Sequence, residues 1–373
     1  MTLIPVPFAN LHKQYLSIRT EIDDAIAGVI ADSAFVRGPR VEAFEQQYAQ
    51  AMGSSHCISA ANGTDTLFIA MHALGVKPGD EVIVPAMSWI STSETVTQAG
   101  GKVVFCDVDP ETHTIDVNKL AGLITSRTVG IIPVHLYGYP AEMDEVMAIA
   151  ARYDLWVIED CAQAHSAIYK GRTVGTIGTV GSFSFYPGKN LGAMGDAGAL
   201  LTEDPALARR MAMFARHGGL KKGHHEIEGI NSRLDGLQAA ILSVKLPHLQ
   251  SWTLRRREIA NLYREALSNI TCLSLPKEAA GRTHVYHLYV VLNNKRDGLL
   301  AHLRAREIQA EVNYMSALPF LPCYGRYGAQ PSDFVNAHRL QTECLSLPIF
   351  PEMSAEQISA VIGAVQEFFG NQL

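Results

Sequence analysis

The sequence predicts an α/β protein: a large domain with a mostly parallel central sheet, then a smaller C-terminal α+β domain. Three observations carry this. Short Val- and Ile-rich runs alternate with helical patterns through the middle of the chain, as in crossover units that link parallel strands. Trp89, Asp107, His135 and Asp160 each follow an apolar run, which puts them at the carboxyl edge where such sheets hold ligands. From about Ser232 the texture shifts to longer helices with few strands. The 373 residues suffice for two domains, expected at 1–250 and 251–373.

The elements follow in order. Leu67 to Leu74 is an apolar helix behind the polar run Ala61-Asn62-Gly63-Thr64-Asp65-Thr66. Glu81 to Pro85 is a strand, with a helix from about Ser88. Lys102 to Asp107 and Thr128 to Val134 are further strands, the second followed by a helix near Met143. Leu155 to Glu159 is a fourth strand, ending against Asp160. Ser182 to Tyr186 alternates like a strand and stops at Pro187-Gly188, after which comes Lys189. Leu234 to Leu246 and Leu254 to Leu267 read as helices, and His287 to Leu292 as a strand. Leu299 to Arg306 and Ala355 to Phe369 close the chain as helices.

Composition narrows the function. Net charge is −6 with no long basic block, so neither nucleic acid nor an anionic membrane is an expected partner. Six scattered cysteines without a CxxC pair argue against a zinc site or a disulfide scaffold. The N-terminus lacks a basic region and a long apolar stretch, so no signal peptide is expected and the setting reads as cytoplasmic.

Two residues carry the chemistry. Lys189 offers an amine for a Schiff base at the end of a strand-like run. Asp160 offers a buried acid for a pyridinium nitrogen. Together they are what pyridoxal phosphate requires of a protein. Each has a plainer reading, as a surface lysine and as a helix N-cap. Gly63 and Thr64 at a helix N-terminus can seat a phosphate, or Asn62 or Thr64 can simply cap that helix. Trp89 can stack on a ring or pack in the core. Gln163 can reach a ring hydroxyl and Ser184 a phosphate, or both can be structural. Asn231-Ser232-Arg233-Leu234-Asp235 reads locally as a helix cap. Arg216 to His225 is glycine-rich and mildly basic, and is expected to be a mobile surface loop. Its histidines lack the acidic or cysteine companions of a metal site, so no metal is expected.

These motifs, in order, resemble the DegT family of sugar-nucleotide aminotransferases, which are fold type I pyridoxal phosphate enzymes. The resemblance spans nearly the whole chain. It includes Val36-Arg37-Gly38-Pro39, Asn62-Gly63-Thr64-Asp65, Ile158-Glu159-Asp160, Phe185 to Gly192, Asn231 to Asp235 and Leu345 to Pro348. It implies that Lys189 is the Schiff-base lysine and Asp160 the pyridinium partner. Trp89 would stack on the ring, and Gln163 would lie by its hydroxyl. Gly63, Thr64 and Ser184 would hold the phosphate, joined by Asn231 from the neighbouring subunit of a homodimer. Arg233 and Tyr314 are the implied substrate contacts. The family often carries His-Tyr-Pro where this chain has Asn313-Tyr314-Met315.

The implied reaction moves an amino group from L-glutamate to a nucleotide-linked keto-sugar, with UDP or dTDP as the nucleotide. The Arg37-Gly38-Pro39 and Gly188–Asp196 segments resemble relatives that aminate carbon 3. Expected products are amino-sugars for surface polysaccharide, lipopolysaccharide or glycosides. Sugar dehydratases of the family usually replace the Schiff-base lysine with histidine, which Lys189 argues against. A non-catalytic regulatory homologue is the other alternative.

Overall fold

The computed structural model describes residues 4–370. Seven strands form the central sheet: β1 (His56–Ala60), β2 (Glu81–Pro85), β3 (Lys102–Cys106), β4 (Thr128–Ile131), β5 (Trp156–Asp160), β6 (Val180–Ser184) and β7 (Gly198–Thr202). Their spatial order is β1-β7-β6-β5-β4-β2-β3. All pairs from β6 to β3 are parallel, whereas β7 runs antiparallel to both β6 and β1. The expected mostly parallel α/β sheet is therefore present.

Period-two alternation explains its two cores. Ile83, Val157 and Phe183 point to one face, with Phe44, Tyr48 and Phe185. Val82, Val84, Ile158 and Leu200 point to the other, against Leu67 and Ile69. Burial on both faces is why these strands read as continuous apolar runs. Gly130 has a steric reason: a Cβ there would lie 2.2 Å from the Trp156 ring on the adjacent strand.

Helices that position the site are α1 (Pro39–Met52), α2 (Gly63–Ala73), α3 (Ser91–Gln98), α4 (Gly236–Lys245), α5 (Leu249–Leu267) and α6 (Val335–Glu343). Three boundaries differ from expectation. The helix expected from about Ser88 starts at Ser91, because Ala86 still bonds to Cys106 O and the chain turns outward first. The charged helix starts at Leu249, five residues early, joined to α4 by a single turn that contains Pro247. The strand expected from His287 starts at Tyr289, since Val285 and Leu288 bond instead to the turn at Tyr137 and Gly138.

A third core joins Ile259, Tyr263, Tyr289, Val291, Leu345, Val361 and Val365 with Val6 from the other end of the chain. Strands β8 (Tyr289–Leu292) and β9 (Cys344–Leu347) pair antiparallel within it.

Candidate active site

The site gathers where the parallel strands end. Asp160 is the last residue of β5 and is buried. No helix follows it, so it is not an N-cap. Its Oδ1 accepts from the Ala162 amide at 3.2 Å and its Oδ2 from the Thr92 hydroxyl at 2.8 Å. Burial pushes this carboxyl above the usual range, against the pull of the Thr92 and Ala162 hydrogen bonds and the Lys189 charge.

Lys189 sits on the turn after β6, with its amide bonded to Tyr186 O at 2.8 Å. The residue is partly open, but its amine end is enclosed. Enclosure brings its pKa down to about 8, with Asp160 pulling the other way. It is therefore no ordinary surface lysine. The loop around it is tied on three sides. Asn190, buried, donates to Val285 O at 3.0 Å and faces His287 Nδ1 at 3.3 Å. Lys245 of α4 donates to Gly192 O at 2.8 Å, and Gln238 accepts from the Met194 amide at 2.8 Å.

Beside β6 lies the N-terminus of α2. Asn62 caps it, accepting from the Asp65 amide at 2.8 Å. Thr64 is not the cap: its hydroxyl pairs with Ser91 Oγ at 2.7 Å. The first amides of the helix, at Gly63 and Thr64, have no intrahelical partner and suit an anion. Gly63 is obligatory here, since a Cβ would stand 2.5 Å from Ser184 Cβ. Ser184 Oγ accepts from the Tyr186 amide at 3.3 Å.

Trp89 is 58% exposed, so the core-packing reading fails. Its ring stands 5.7 Å from that of Tyr314. The Tyr314 hydroxyl accepts from Gln163 Nε2 at 2.8 Å, while Gln163 Oε1 accepts from the Tyr137 amide at 2.6 Å. Tyr314 thus joins the same end of the site as Asp160, whose charge together with burial raises its phenol pKa.

Not every expectation gathers here. Asn231 is exposed, paired through its backbone with Arg216. Neither Asn231 nor Ser232 caps α4: the cap position is Asp235, and Ser232 Oγ accepts from the Ala61 amide at 3.1 Å. Arg233 is half-buried just before α4. The 216–225 segment is largely exposed and turns back at Lys221 and His224. Asp107 is structural: it accepts from Asn336 and Ala337 amides at the start of α6. His135 and Glu159 form a buried pair at 3.0 Å. With Cys161 they offer three ligand atoms within 4.8 Å of one another. The His135 and Glu159 atoms are already engaged with each other and with backbone, since Glu159 also accepts from the Gly175, Ile177 and Gly178 amides and His135 Nδ1 from that of Ala141.

Sequence reasoning missed Thr92, Ser91, Tyr137 and His165. His165 is buried, its Nε2 donating to Ser184 O at 2.9 Å and its Nδ1 accepting from Tyr48 of α1 at 2.9 Å. Burial holds it neutral, down to about 4. The available signal for Thr92 was the run Ser91-Thr92-Ser93-Glu94-Thr95, unusually rich in hydroxyls for a helix start.

Comparison with known proteins fits this geometry. The family model described as the DegT/DnrJ/EryC1/StrS aminotransferase family matches residues 16–366. A Geobacillus stearothermophilus protein named pleiotropic regulatory protein is 42% identical over 366 residues, covering 98% of each chain. The dTDP-3-amino-3,4,6-trideoxy-alpha-D-glucose transaminase of Streptomyces venezuelae is 40% identical, covering 97% of this chain and 96% of its own. The crystal structure of S. venezuelae DesV in complex with a ketimine intermediate superposes with a TM-score of 0.96 at 40% identity, covering 98% of this chain and 99% of that one.

Proposed function

The chain belongs to the DegT/DnrJ/EryC1/StrS aminotransferase family, and from that premise we propose that it aminates carbon 3 of a dTDP- or UDP-linked keto-sugar, with L-glutamate as donor. It is a sugar aminotransferase of the fold type I class, and its cofactor is pyridoxal phosphate. One observation carries the reading: an enclosed lysine amine on the turn after β6 together with the buried Asp160 carboxylate at the end of the neighbouring β5. The residues fit the cofactor. Asp160 retains lone pairs beyond those used by Thr92 and Ala162. Gly63 and Ser184 leave a tight cradle beside unpaired helix amides. When bound, pyridoxal phosphate supplies an electron sink for cleavage of the bond to the substrate hydrogen.

In this reading Asp160 keeps the ring nitrogen protonated, and Trp89 covers a ring face. Gln163 has one N–H left for the ring hydroxyl. Gly63, Thr64 and Ser184 hold the phosphate. Lys189 Nζ anchors the cofactor and then takes and returns the substrate proton as general base and acid. Tyr314 and Arg233 meet the sugar-nucleotide.

Asn231 completes the phosphate site of a neighbouring subunit, so the working unit is a homodimer. Support comes from Phe35 and Val36, 50% and 52% exposed beside the Asn231–Asp235 segment. We take 1–250 and 251–373 as the two domains; the separate core around Tyr289 and Leu345 supports this, although Val6 crosses the division. Six free cysteines are in keeping with a cytoplasmic setting. No described helix is long and apolar enough to cross a membrane. The product would feed surface polysaccharide, lipopolysaccharide or glycoside assembly.

The test is a panel of dTDP- and UDP-keto-sugars with glutamate, read by product mass and by NMR position of the new amine. Amination at carbon 3 of one member supports the reading. Cofactor binding without turnover of any member favours instead a regulatory role like that in the name of the Geobacillus relative.

A further inference from the structure

We propose that Thr92 is a positioning residue for the reaction, orienting the Asp160 carboxylate and keeping it ionised against the cofactor ring nitrogen. The inference rests on the reading of Asp160 as the ring partner. Thr92 is completely buried, and its Oγ1 lies 2.8 Å from Asp160 Oδ2. An ionised carboxylate only accepts, so Thr92 must donate its single hydroxyl proton there. Its oxygen then accepts from Ser88 Oγ, also at 2.8 Å. Ser88 and Thr92 stand four residues apart around Trp89. One turn of chain therefore presents the exposed ring and aims a polarised hydroxyl at the carboxylate.

The need for this donor follows from burial. A carboxylate withdrawn from water tends to take up a proton, and burial is the largest influence on Asp160. A neutral acid cannot hold a pyridinium by charge. The Ala162 amide at 3.2 Å is the longer of its two bonds. Thr92 supplies the shorter one and holds Oδ2 while Ala162 holds Oδ1, so the carboxylate plane is fixed and each oxygen keeps a further lone pair.

The experiment compares Thr92→Val, Thr92→Ser, Ser88→Ala and Asp160→Asn holoenzymes. It reads the nitrogen-15 resonance of ring-labelled cofactor together with kcat and KM. In Thr92→Val the resonance should move toward the unprotonated pyridine position. Its kcat should fall about tenfold to a hundredfold, the worth of one hydrogen bond to a charged group. KM for the sugar should stay within about twofold, since the interaction matters mainly in the transition state. Thr92→Ser should restore both readouts. Ser88→Ala should shift both in the same direction by less, and it decides the matter if Thr92→Val does not fold. Impaired Asp160→Asn beside wild-type resonance and kcat in Thr92→Val and Ser88→Ala would overturn the role of Thr92 alone. A wild-type resonance and rate in Asp160→Asn would instead overturn the ring-partner reading, and this proposal with it.

Discussion

An enclosed lysine amine is unusual because burial disfavours its charged form, and at Lys189 that cost serves the chemistry. With a pKa near 8, about a tenth of the amine is uncharged at pH 7 and able to attack a carbonyl, far more than for an ordinary lysine. The rate at which cofactor-free protein captures pyridoxal phosphate should therefore rise with pH through a midpoint near 8. The sign follows from the amine needing to lose its proton first. A midpoint near the ordinary lysine value, measured by stopped-flow absorbance, would contradict the enclosure. Lys189→Ala should fold normally and lose turnover. Borohydride reduction of the wild-type holoenzyme followed by peptide mapping should place the pyridoxyl group on Lys189, and a label on another lysine would refute the assignment. Lys189 was legible because it follows Pro187-Gly188 at the end of an alternating strand-like run, and Asp160 because it stands at the carboxyl end of an apolar one. Thr92 was not: its hydroxyl belongs to a local helix start, whereas its partner is 68 residues away across the sheet.

Among the elements, α6 shows how a residue at the expected sheet edge serves structure instead. Its own N-cap position, Phe334, has no capping side chain. Asp107, just past β3, accepts from the Asn336 amide at 3.2 Å and the Ala337 amide at 2.9 Å, while Lys119 pairs with it at 2.8 Å. An edge aspartate reads as a ligand site, and nothing local reveals that a helix 229 residues on docks against it. Asp107→Ala should cost about 2 kcal/mol, combining a lost cap with a buried amide left unpaired. Asp107→Asn, which keeps an accepting oxygen, should cost less. Urea denaturation measures both, and an alanine variant as stable as wild type would show that the cap contributes nothing. Helix starts were misjudged for a related reason. Whether a chain turns outward before α3, or runs through Pro247 into α5, depends on what the segment packs against.

For the whole molecule, the parallel sheet was legible because burial on both faces leaves continuous apolar runs. Its strand order was not. β1 pairs with β7, aligning His56 with Thr202, and such distant pairings are set by packing of whole layers rather than by either strand alone. The same limit applies one level up, to the subunits. Asn231 lies exposed, and among the described residues its side chain makes no hydrogen bond to the Lys189–Asp160 group. Phe35 and Val36, beside the Asn231–Asp235 segment, are exposed as well, as a subunit contact requires. A shared site predicts complementation. Lys189→Ala removes the anchor, and Asn231→Ala removes the cross-subunit contact. In a mixed dimer both defects fall in one site, because the Lys189 of one protomer works with the Asn231 of the other. The second site keeps both residues. Mixing the two variants under conditions of subunit exchange should therefore restore activity, up to one working site per heterodimer. Heterodimers confirmed by mass that show no activity above either parent would count against the shared site. So would a monomer that sediments as such at assay concentration and turns over at the full rate.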